Sequence, residues 1–355
     1  MQLDTTLRHA TEALASTAGS PTGKWAEANP PGQALEEVSR IRTGDEIEAL
    51  AGDFTIMAGQ LIRHQENLKE QIAAKTAEIQ SDLDMARELQ QAFLPREYPQ
   101  VPSRGEADPL TLHFHHLYQA AMSVSGDFCD VIKLDDHRAG VFIADVMGHG
   151  TRSALVTAIL RTLLHNLAQE VNDPAWFLSQ LNRHFHETMK QTDQLIFVTA
   201  CYVVIDTQKK TVRCASAGHP SPLCCNRLSG TTDLFFDSLK NNPAIGLLPH
   251  ASYTSFTRRL HKGDIFLLFT DGVIEAMNEQ DEEFGQTRLL HCVENPQAHS
   301  LSVLTHGIVS AVKEFTGQSQ LMDDLCLVAV EAAANPVHAP SPEAAEPAVS
   351  QSAAG

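Results

Sequence analysis

Paired cysteines, basic charge and long apolar runs are all scarce in this 355-residue chain, and each shortage excludes a class of protein. The seven cysteines are an odd number and include no C-x-x-C pair, which argues against a zinc site and a closed disulfide framework. A formal net charge of -18 argues against nucleic acid and anionic membranes as partners. No 18 apolar residues run together, and residues 1–20 lack the order of a signal peptide. We therefore expect a cytoplasmic protein with reduced thiols and no membrane span.

A long amphipathic helix is predicted between Asp45 and Pro95. Its apolar residues recur in steps of three and four, first regularly and then less so, at Ile47, Leu50, Phe54, Met57, Leu61, Leu68, Ile72, Ile79, Leu83, Ala86 and Phe93. The helix spans about 45 residues, or roughly 65–70 Å. A helix of this length cannot bury its apolar stripe alone, so we expect it to form a coiled-coil homodimer. The alternative is a single helix that packs on its own domain.

Residues 110–331 have the pattern of an α+β domain. Short apolar runs predict strands at 140–144, 197–205, 211–216, 264–269 and 325–330, the second and third joined as a hairpin. Helical periodicity predicts helices at 151–169, from 173 onward and at 302–315. This grouping indicates stacked antiparallel sheets covered by helices. Residues 332–355, rich in Ala, Pro, Ser and Glu, are predicted to be a disordered tail.

Aspartates stand where predicted strands meet turns. Asp127 follows a glycine, Asp145 closes one strand, Asp271 ends another, and the pair Asp323-Asp324 precedes the last. A side chain at a strand end is held rigidly yet faces an open edge, which suits a metal ligand. Crowded carboxylates repel one another unless cations neutralise them, and oxygen-only ligands favour Mg²⁺ or Mn²⁺. Taken singly, each aspartate also fits the role of a turn former or helix cap.

Six motifs occur in a specific order and resemble those of the PPM-type (type 2C) protein phosphatases, in particular their bacterial SpoIIE/RsbU-like branch. They are Ser125-Gly-Asp-Phe-Cys-Asp130, Ala144-Asp-Val-Met-Gly-His-Gly150, Phe197-Val-Thr199, Ala217-Gly-His-Pro220, Phe269-Thr-Asp-Gly-Val-Ile-Glu-Ala276 and Met322-Asp-Asp-Leu325. The resemblance covers residues 85–331 and includes Leu89-Gln-Gln-Ala-Phe-Leu-Pro95. It implies an αββα sandwich with metals at the sheet edge.

The same resemblance implies which residues hold two divalent cations, Mn²⁺ or Mg²⁺. The implied ligands are Asp127, Asp145 (which bridges the ions), the carbonyl of Val146, Asp271 and Asp323, with Asp324 as the second choice within its pair. Asp127, Asp145 and Asp271 would be the catalytic set. The cations would activate a water and neutralise charge on the phosphoryl group, so no side-chain nucleophile is required.

Several other polar residues admit two interpretations. His149 is either a proton donor to the leaving oxygen or a residue that shapes its glycine-flanked loop. Asp130 either contacts a metal through water or caps a turn. The group His113, His115 and His116 is a strand face rather than a metal site. His219, in Ala217-Gly-His-Pro220, is interpreted as structural.

Residues 41–93 are predicted to be regulatory. Gly44 to Ala51, with Phe54, Met57 and Leu61, resembles the second helix of a HAMP signalling module, whose first helix would be residues 31–41. The domain plan is therefore an N-terminal segment at 1–40, a HAMP-like coiled coil at 41–93, a phosphatase domain at 94–331 and the tail. Helix packing or register would reorient the elements that carry Asp127 and Asp145 and so set metal occupancy.

The resemblance implies removal of phosphate from phosphoserine or phosphothreonine on a regulatory protein. The implied partner is a STAS-domain anti-sigma-factor antagonist in a partner-switching pathway. Two alternatives stay open. One is a non-catalytic pseudophosphatase that acts as a signalling scaffold, and the other is a phosphatase of small molecules.

Overall fold

The computed structural model describes residues 36, 38–40, 42–44, 46–103, 110–121, 124–148, 150–168, 173–191, 195–237, 242–294, 300–318 and 321–334. The chain divides into two compact units, residues 1–82 and 83–355. Residues 1–35 of the predicted N-terminal segment, the tail beyond residue 334, and His149 lie outside the described residues.

The predicted long helix is present as α1 (Glu46–Gln91), 46 residues in length. Glu46 and Glu48 in its first turn complement the positive end of the helix dipole. Only small side chains of its N-terminal part are buried, namely Ala51 and Ala58. Large apolar side chains along it are exposed: Leu50, Ile56, Met57, Leu61, Leu68, Ile72, Ile79, Met85 and Leu89. The sequence pattern therefore correctly predicts the helix, and its apolar stripe is in contact with solvent.

Within the described residues, ten strands form two five-stranded antiparallel sheets, and stacked antiparallel sheets are what the sequence predicts. The first sheet has the order β2 (Asp127–Lys133), β3 (Arg138–Val146), β4 (Val198–Asp206), β5 (Thr211–Ala217) and β8 (Phe256–Arg259). The second has the order β1 (Leu110–Gln119), β10 (Leu325–Ala334), β9 (Asp264–Phe269), β6 (Leu223–Asn226) and β7 (Thr231–Leu234). The predicted hairpin is the β4–β5 pair.

Among the residues that the structure describes, two helices cover the outer face of each sheet. On the first sheet lie α2 (Thr151–Ala168) and α3 (Pro174–Met189), and on the second lie α4 (Gly285–Val293) and α5 (Leu301–Thr316). Asp173 caps α3 by accepting the amide hydrogen of Ala175 at 2.8 Å, with proline at the first helical position. The αββα sandwich is confirmed.

Successive side chains of a strand point to opposite faces of the sheet. One face packs against the other sheet, and the opposite face packs against the helices. In β2, Cys129 and Val131 face the second sheet, whereas Phe128 and Ile132 face the helices. Each large side chain buried in this way stabilises the fold by about 1.5–3 kcal/mol. All seven cysteines lie in the described part of the chain, and each is a free thiol.

Some elements differ from the sequence prediction. The strands β6, β7 and β8 are only four residues long, and α4 is a nine-residue helix, so their periodicity is too short to detect. The last strand runs to Ala334, so residues 332–334 belong to the sheet and not to a tail. These alanines continue the strand because they pair with the first residues of β1, and Ala334 lies opposite Leu110. None of the helices in the described ranges is long and apolar enough to cross a membrane.

A buried tyrosine gives a test of this packing. The ring of Tyr202 is fully buried, 4.3 Å from that of Phe177, and its hydroxyl contacts Gly140 without a hydrogen-bond partner among the described residues. Tyr202→Phe removes an unpaired buried hydroxyl, which carries a penalty of about 1–3 kcal/mol. We expect the melting temperature to rise by about 2–4 °C per kcal/mol, as measured by differential scanning calorimetry.

The matched control is Tyr98→Phe. The Tyr98 hydroxyl is paired with Nδ1 of His116 at 2.7 Å and accepts the His116 amide hydrogen at 2.8 Å, so its removal lowers the melting temperature. A larger loss of stability in the Tyr202 variant than in the Tyr98 variant would contradict this account of the core.

Candidate metal centre

Asp127 and Asp145, the first two predicted site residues, lie on adjacent strands. Asp127 opens β2 and Asp145 lies near the end of β3, and the antiparallel register places them directly opposite each other. Residues opposite each other in an antiparallel pair have Cβ atoms about 4.5–5.5 Å apart and share a face of the sheet. Both carboxylates therefore lie at the end of the sheet, on the face that is turned toward the second sheet.

Asp127 is held from both sheets. It is 2% exposed, its amide donates to Oγ of Ser125 at 3.0 Å, and its Oδ2 accepts a hydrogen bond from Oγ1 of Thr270 at 2.7 Å. Thr270 follows β9, so this bond joins the first sheet to the second. Burial raises the pKa of Asp127 well above its usual range, and the charge of Asp145 raises it further.

Asp145 is subject to charge repulsion from several carboxylates. Burial is the main cause that raises its pKa to about 7, followed by the charges of Asp271, Asp323, Asp324 and Glu275. The pKa of Asp271 is raised by its own burial and then by Asp323. The structure thus brings Asp127, Asp145 and Asp271 together with the Asp323-Asp324 pair at one edge.

The two residues of the acidic pair differ in their contacts. Asp323 is exposed, and its Oδ1 accepts the amide hydrogen of Asp324 at 2.8 Å. Asp324 is 6% exposed, and its two carboxylate oxygens accept amide hydrogens from Ala121 and Gly126, each at 2.9 Å. Asp324 therefore holds the loop that precedes Asp127, whereas Asp323 faces solvent beside Asp271.

Two glycines permit the close approach of oxygens at this edge. A side chain on Gly126 would lie 2.6 Å from the carbonyl oxygen of Val146 and 3.1 Å from both Oδ1 of Asp145 and the carbonyl oxygen of Gly148. A side chain on Gly272 would collide with the carbonyl of Asp324. The carboxylates and backbone carbonyls at this edge could all bind a metal through oxygen, and oxygen is the ligand that Mg²⁺ and Mn²⁺ prefer. As positioned, no group of three or more His, Cys, Asp or Glu side chains in the described part is ready to hold a metal.

Glu275 is a member of the acidic edge that sequence reasoning missed. Its pKa is raised by burial and then by the charges of Asp271, Glu283 and Asp323. The amide of Glu275 donates to the carbonyl of Asp271 at 2.8 Å, because a 3₁₀ turn over Asp271–Val273 folds the chain back. Its place four residues after Asp271, in the same motif, is the sequence signal that would have found it.

The remaining polar candidates lie away from the carboxylates. Asp130 is on the opposite face of β2, where its Oδ2 is 2.9 Å from Nε2 of His165 on α2. His219 is fully buried, and its Nδ1 is 2.9 Å from Oγ1 of Thr199, the residue opposite Asp145 in β4. Burial lowers the pKa of His219 to about 3, so the ring is neutral at physiological pH.

The histidines of β1 lie at different positions along that strand and make different contacts. His113 is exposed, the ring of His115 lies 6.0 Å from that of His306 on α5, and His116 is paired with Tyr98. The interpretation of this group as a strand face agrees with these positions.

A cavity of about 270 Å³ adjoins the carboxylates. Its lining includes the acidic residues Glu275 and Asp323 and the apolar residues Met277, Leu321 and Met322. The cavity therefore combines an acidic edge with a flexible apolar wall.

Comparisons with known proteins agree with this fold. Residues 135–333 match the family model described as Stage II sporulation protein E (SpoIIE). Phosphoserine phosphatase RsbP of Bacillus subtilis is 30% identical over 195 residues, which are 55% of this chain and 45% of RsbP. Phosphoserine phosphatase RsbU of the same organism is 26% identical over 296 residues, 83% of each chain. The SiaA-PP2C domain of Pseudomonas aeruginosa superposes with a TM-score of 0.60 at 22% identity, covering 73% of this chain and 99% of that domain.

The two-sheet sandwich is the fold of the PP2C domain on which it superposes. The chain belongs to the SpoIIE family. The matched region spans less than half of RsbP but most of RsbU, so the substrates and partners of the whole protein are a separate question.

Charge repulsion at this edge predicts an unusual pH dependence of stability in metal-free protein. The pKa of Asp145 is about 7 in the folded state, above the roughly 3.9 of an unfolded aspartate. Between these values the folded state binds the proton that the unfolded state has released, so stability is lost as the pH rises from about 4 to 7. We expect Asp145→Asn to melt at a higher temperature than the wild type at pH 8 in chelator, and the gain to shrink at pH 5.

Asp281→Asn is the control for this prediction, because Asp281 is exposed and has a positive φ of 59° that asparagine tolerates. Its melting temperature should follow the wild type at both pH values. An Asp145→Asn protein that melts below the wild type at pH 8 would show that repulsion does not dominate at this edge.

Proposed function

We propose that this protein hydrolyses phosphoserine or phosphothreonine on a regulatory protein, using two divalent cations, Mn²⁺ or Mg²⁺. The observation that carries the proposal is the acidic edge, where the pKa of Asp127, of Asp145 and of Asp271 is raised by burial and by neighbouring carboxylates. Such a cluster is unfavourable in a folded protein unless cations bind it. Membership of the SpoIIE family supports the same reaction.

In this proposal Asp127, Asp145 and Asp271 are the catalytic ligands, joined by the carbonyl of Val146 and by Asp323. Asp324 takes a different role, because backbone amides already engage both of its oxygens. Its contribution is to hold Gly126, and thereby Asp127, in place.

The division of labour between cations and protein follows from this ligand set. Bound there, the cations would supply charge neutralisation on the phosphoryl oxygens and a water acidic enough to attack phosphorus at neutral pH. The Thr270 hydroxyl fixes the orientation of the Asp127 carboxylate, and the β2–β3 register fixes its spacing from Asp145. Such preorganisation keeps the ligands from having to rearrange during the reaction.

The cavity beside the carboxylates favours a polypeptide as substrate. Met277 and Met322 are 47% and 79% exposed, so apolar surface lies next to the acidic edge. A phosphorylated segment of a protein can use that surface, whereas a small phosphate ester cannot. We propose a STAS-domain antagonist of an anti-sigma factor as the partner, in the cytoplasm, where the seven free thiols remain reduced.

One experiment tests the reaction and its substrate class. Purified full-length protein is assayed with Mn²⁺, Mg²⁺ or chelator on an aryl phosphate, on small metabolite-type phosphate monoesters and on a phosphoserine-bearing STAS-domain protein. We expect hydrolysis to require the cation. We expect kcat/KM to be highest for the phosphoprotein. Asp271→Asn should lower kcat by at least about 100-fold, because it removes a charged group of the catalytic set.

The controls separate the alternatives. Asp281→Asn also neutralises one aspartate, but on an exposed turn, and should retain full activity. Turnover of small monoesters with none on the phosphoprotein would favour the small-molecule phosphatase. Absence of turnover with either cation, together with absence of Mn²⁺ binding by calorimetry, would favour the scaffold.

We further propose that α1 forms a coiled-coil homodimer and that its HAMP-like part regulates the phosphatase. The exposed stripe supports this, because large apolar side chains such as Leu61 and Ile72 are 55% and 65% exposed along the helix. A packing or register change in such a dimer would be the signal that alters cation occupancy.

The dimer is tested with charges in the stripe. The double variant Leu61→Asp/Leu68→Asp places carboxylates in the proposed seam, and we expect its dimer dissociation constant to rise at least about tenfold, measured by analytical ultracentrifugation. Ala73→Asp adds the same group to an exposed position outside the seam and should leave the dimer intact. A monomeric wild type, or an unaffected double variant, would contradict the proposal.

A further inference from the structure

An uncharged apolar surface adjoins the acidic edge on the side of the first sheet. Three chain segments form it, residues 146–148, 195–199 and 242–249, and none of them contains a charged residue, although the chain has a formal net charge of -18. Four large apolar side chains of these segments are between 43% and 62% exposed, namely Met147, Leu195, Leu247 and Leu248. We call these four side chains the apolar platform.

Backbone hydrogen bonds connect the platform to the proposed metal ligands. The strands β3 and β4 pair as far as Val146 and Val198. The amide of Met147 continues this pairing by donating to the carbonyl of Phe197 at 3.1 Å. Val198 and Ile245 then form an antiparallel bridge, in which each amide donates to the other carbonyl, at 2.9 and 2.8 Å. Neighbouring strands lie about 4.8 Å apart, so the chain at Ile245 is about 10 Å from the chain at Val146.

A buried asparagine holds the third segment in one conformation. Asn182 of α3 is 1% exposed, and its Nδ2 donates to the carbonyl oxygen of Leu248 at 2.9 Å. Its Oδ1 accepts the amide hydrogen of Gly246 at 2.8 Å. The segment that carries Leu247 and Leu248 is therefore ordered before a ligand arrives, which lowers the entropic cost of binding there.

The continuity of the platform with the carboxylates indicates what covers it. A phosphorylated residue that reaches the proposed cations brings the polypeptide on one side of it across a surface about 10 Å from Val146. An extended chain spans about 3.3 Å per residue, so side chains about three or four residues from the phosphorylated one meet the platform. Because the platform is uncharged, apolar side chains gain the most from that contact.

We propose that the apolar platform is the docking surface for the polypeptide that flanks the phosphorylated residue, and that it selects apolar side chains about three or four residues away. This inference rests on the proposed function, since it concerns the substrate of the same site. Leu247 and Leu248 determine specificity in it. Both lie outside the proposed ligand set, so they contribute to substrate binding and not to the attack on phosphorus.

The test compares two phosphoserine peptides with the full-length protein in Mn²⁺. One peptide carries leucine at the third and fourth positions on both sides of the phosphoserine, and the other carries serine at those positions. We expect the wild type to have a kcat/KM roughly tenfold higher for the leucine peptide, mainly through KM, because the contact removes apolar area from water.

The double variant Leu247→Ser/Leu248→Ser removes the apolar surface without touching the carboxylates. Its preference for the leucine peptide should fall to about twofold or less. Its hydrolysis of an aryl phosphate should equal that of the wild type, because this ester is too short to reach the platform. Leu247→Met/Leu248→Met keeps the platform apolar and should retain most of the preference.

Leu228→Ser is the matched control. Leu228 is 72% exposed in the turn after β6. The pairing of Asn226 with Asp264 places this turn beside the start of β9, whereas Asp271 follows the end of β9. The variant thus removes an exposed leucine far from the acidic edge, and its kcat/KM for both peptides should match the wild type.

Three results would overturn the inference: equal kcat/KM for the two peptides in the wild type, an unchanged preference in the double serine variant, or an equal loss of aryl phosphate hydrolysis in that variant. A double serine variant that alters only the dimer dissociation constant would assign the platform to a second copy of the chain instead. If phosphopeptides are hydrolysed in any of these cases, the inference fails and the proposed function stands. If the wild type hydrolyses no phosphopeptide, the proposed function fails and the inference fails with it.

Discussion

Mutual repulsion among carboxylates at one end of the sandwich is the constraint on which the rest of this domain depends. Asp145 alone is opposed by the charges of Asp271, Asp323, Asp324 and Glu275. A flexible loop would relieve such repulsion by moving apart, so these groups stay together only because rigid strands and tight turns carry them. The hydrophobic layers on both sides of each sheet supply that rigidity. The repulsion at the acidic edge offsets part of the free energy by which these layers stabilise the fold.

The bonds that hold the edge come from distant parts of the chain. Thr270 after β9 anchors Asp127 of β2, Asp324 before β10 anchors Gly126, and Gln90 of α1 anchors Ser125. Three elements therefore converge on three consecutive residues. The bonds to the Asp324 and Asp127 carboxylates are charge-assisted, and the bond from Gln90 is between neutral groups. Together these bonds restrain the position and the orientation of the loop.

Most of the fold was accessible from the sequence, since long periodic segments predict their own structure. The alternation in residues 197–205 and the capped start of α3 at Asp173-Pro174 led to the correct elements. The candidate site was accessible as a list of aspartates, whereas the division of roles between Asp323 and Asp324 was not, because it depends on which backbone amides lie nearby. Gln90 and Glu275 escaped for the same reason: a lone amide or carboxylate on a helix or turn is ordinarily solvated, and only the tertiary structure buries Gln90 and places Glu275 near Asp271.

The bonds made by Asp324 have a consequence for biosynthesis. This residue accepts amide hydrogens from partners 203 and 198 positions earlier in the chain. During translation, the loop before Asp127 is made long before the residue that fixes it leaves the ribosome. A chain that ends before Asp324 therefore contains the carboxylates of β2 and β3 but lacks the side chain that holds Gly126 beside them.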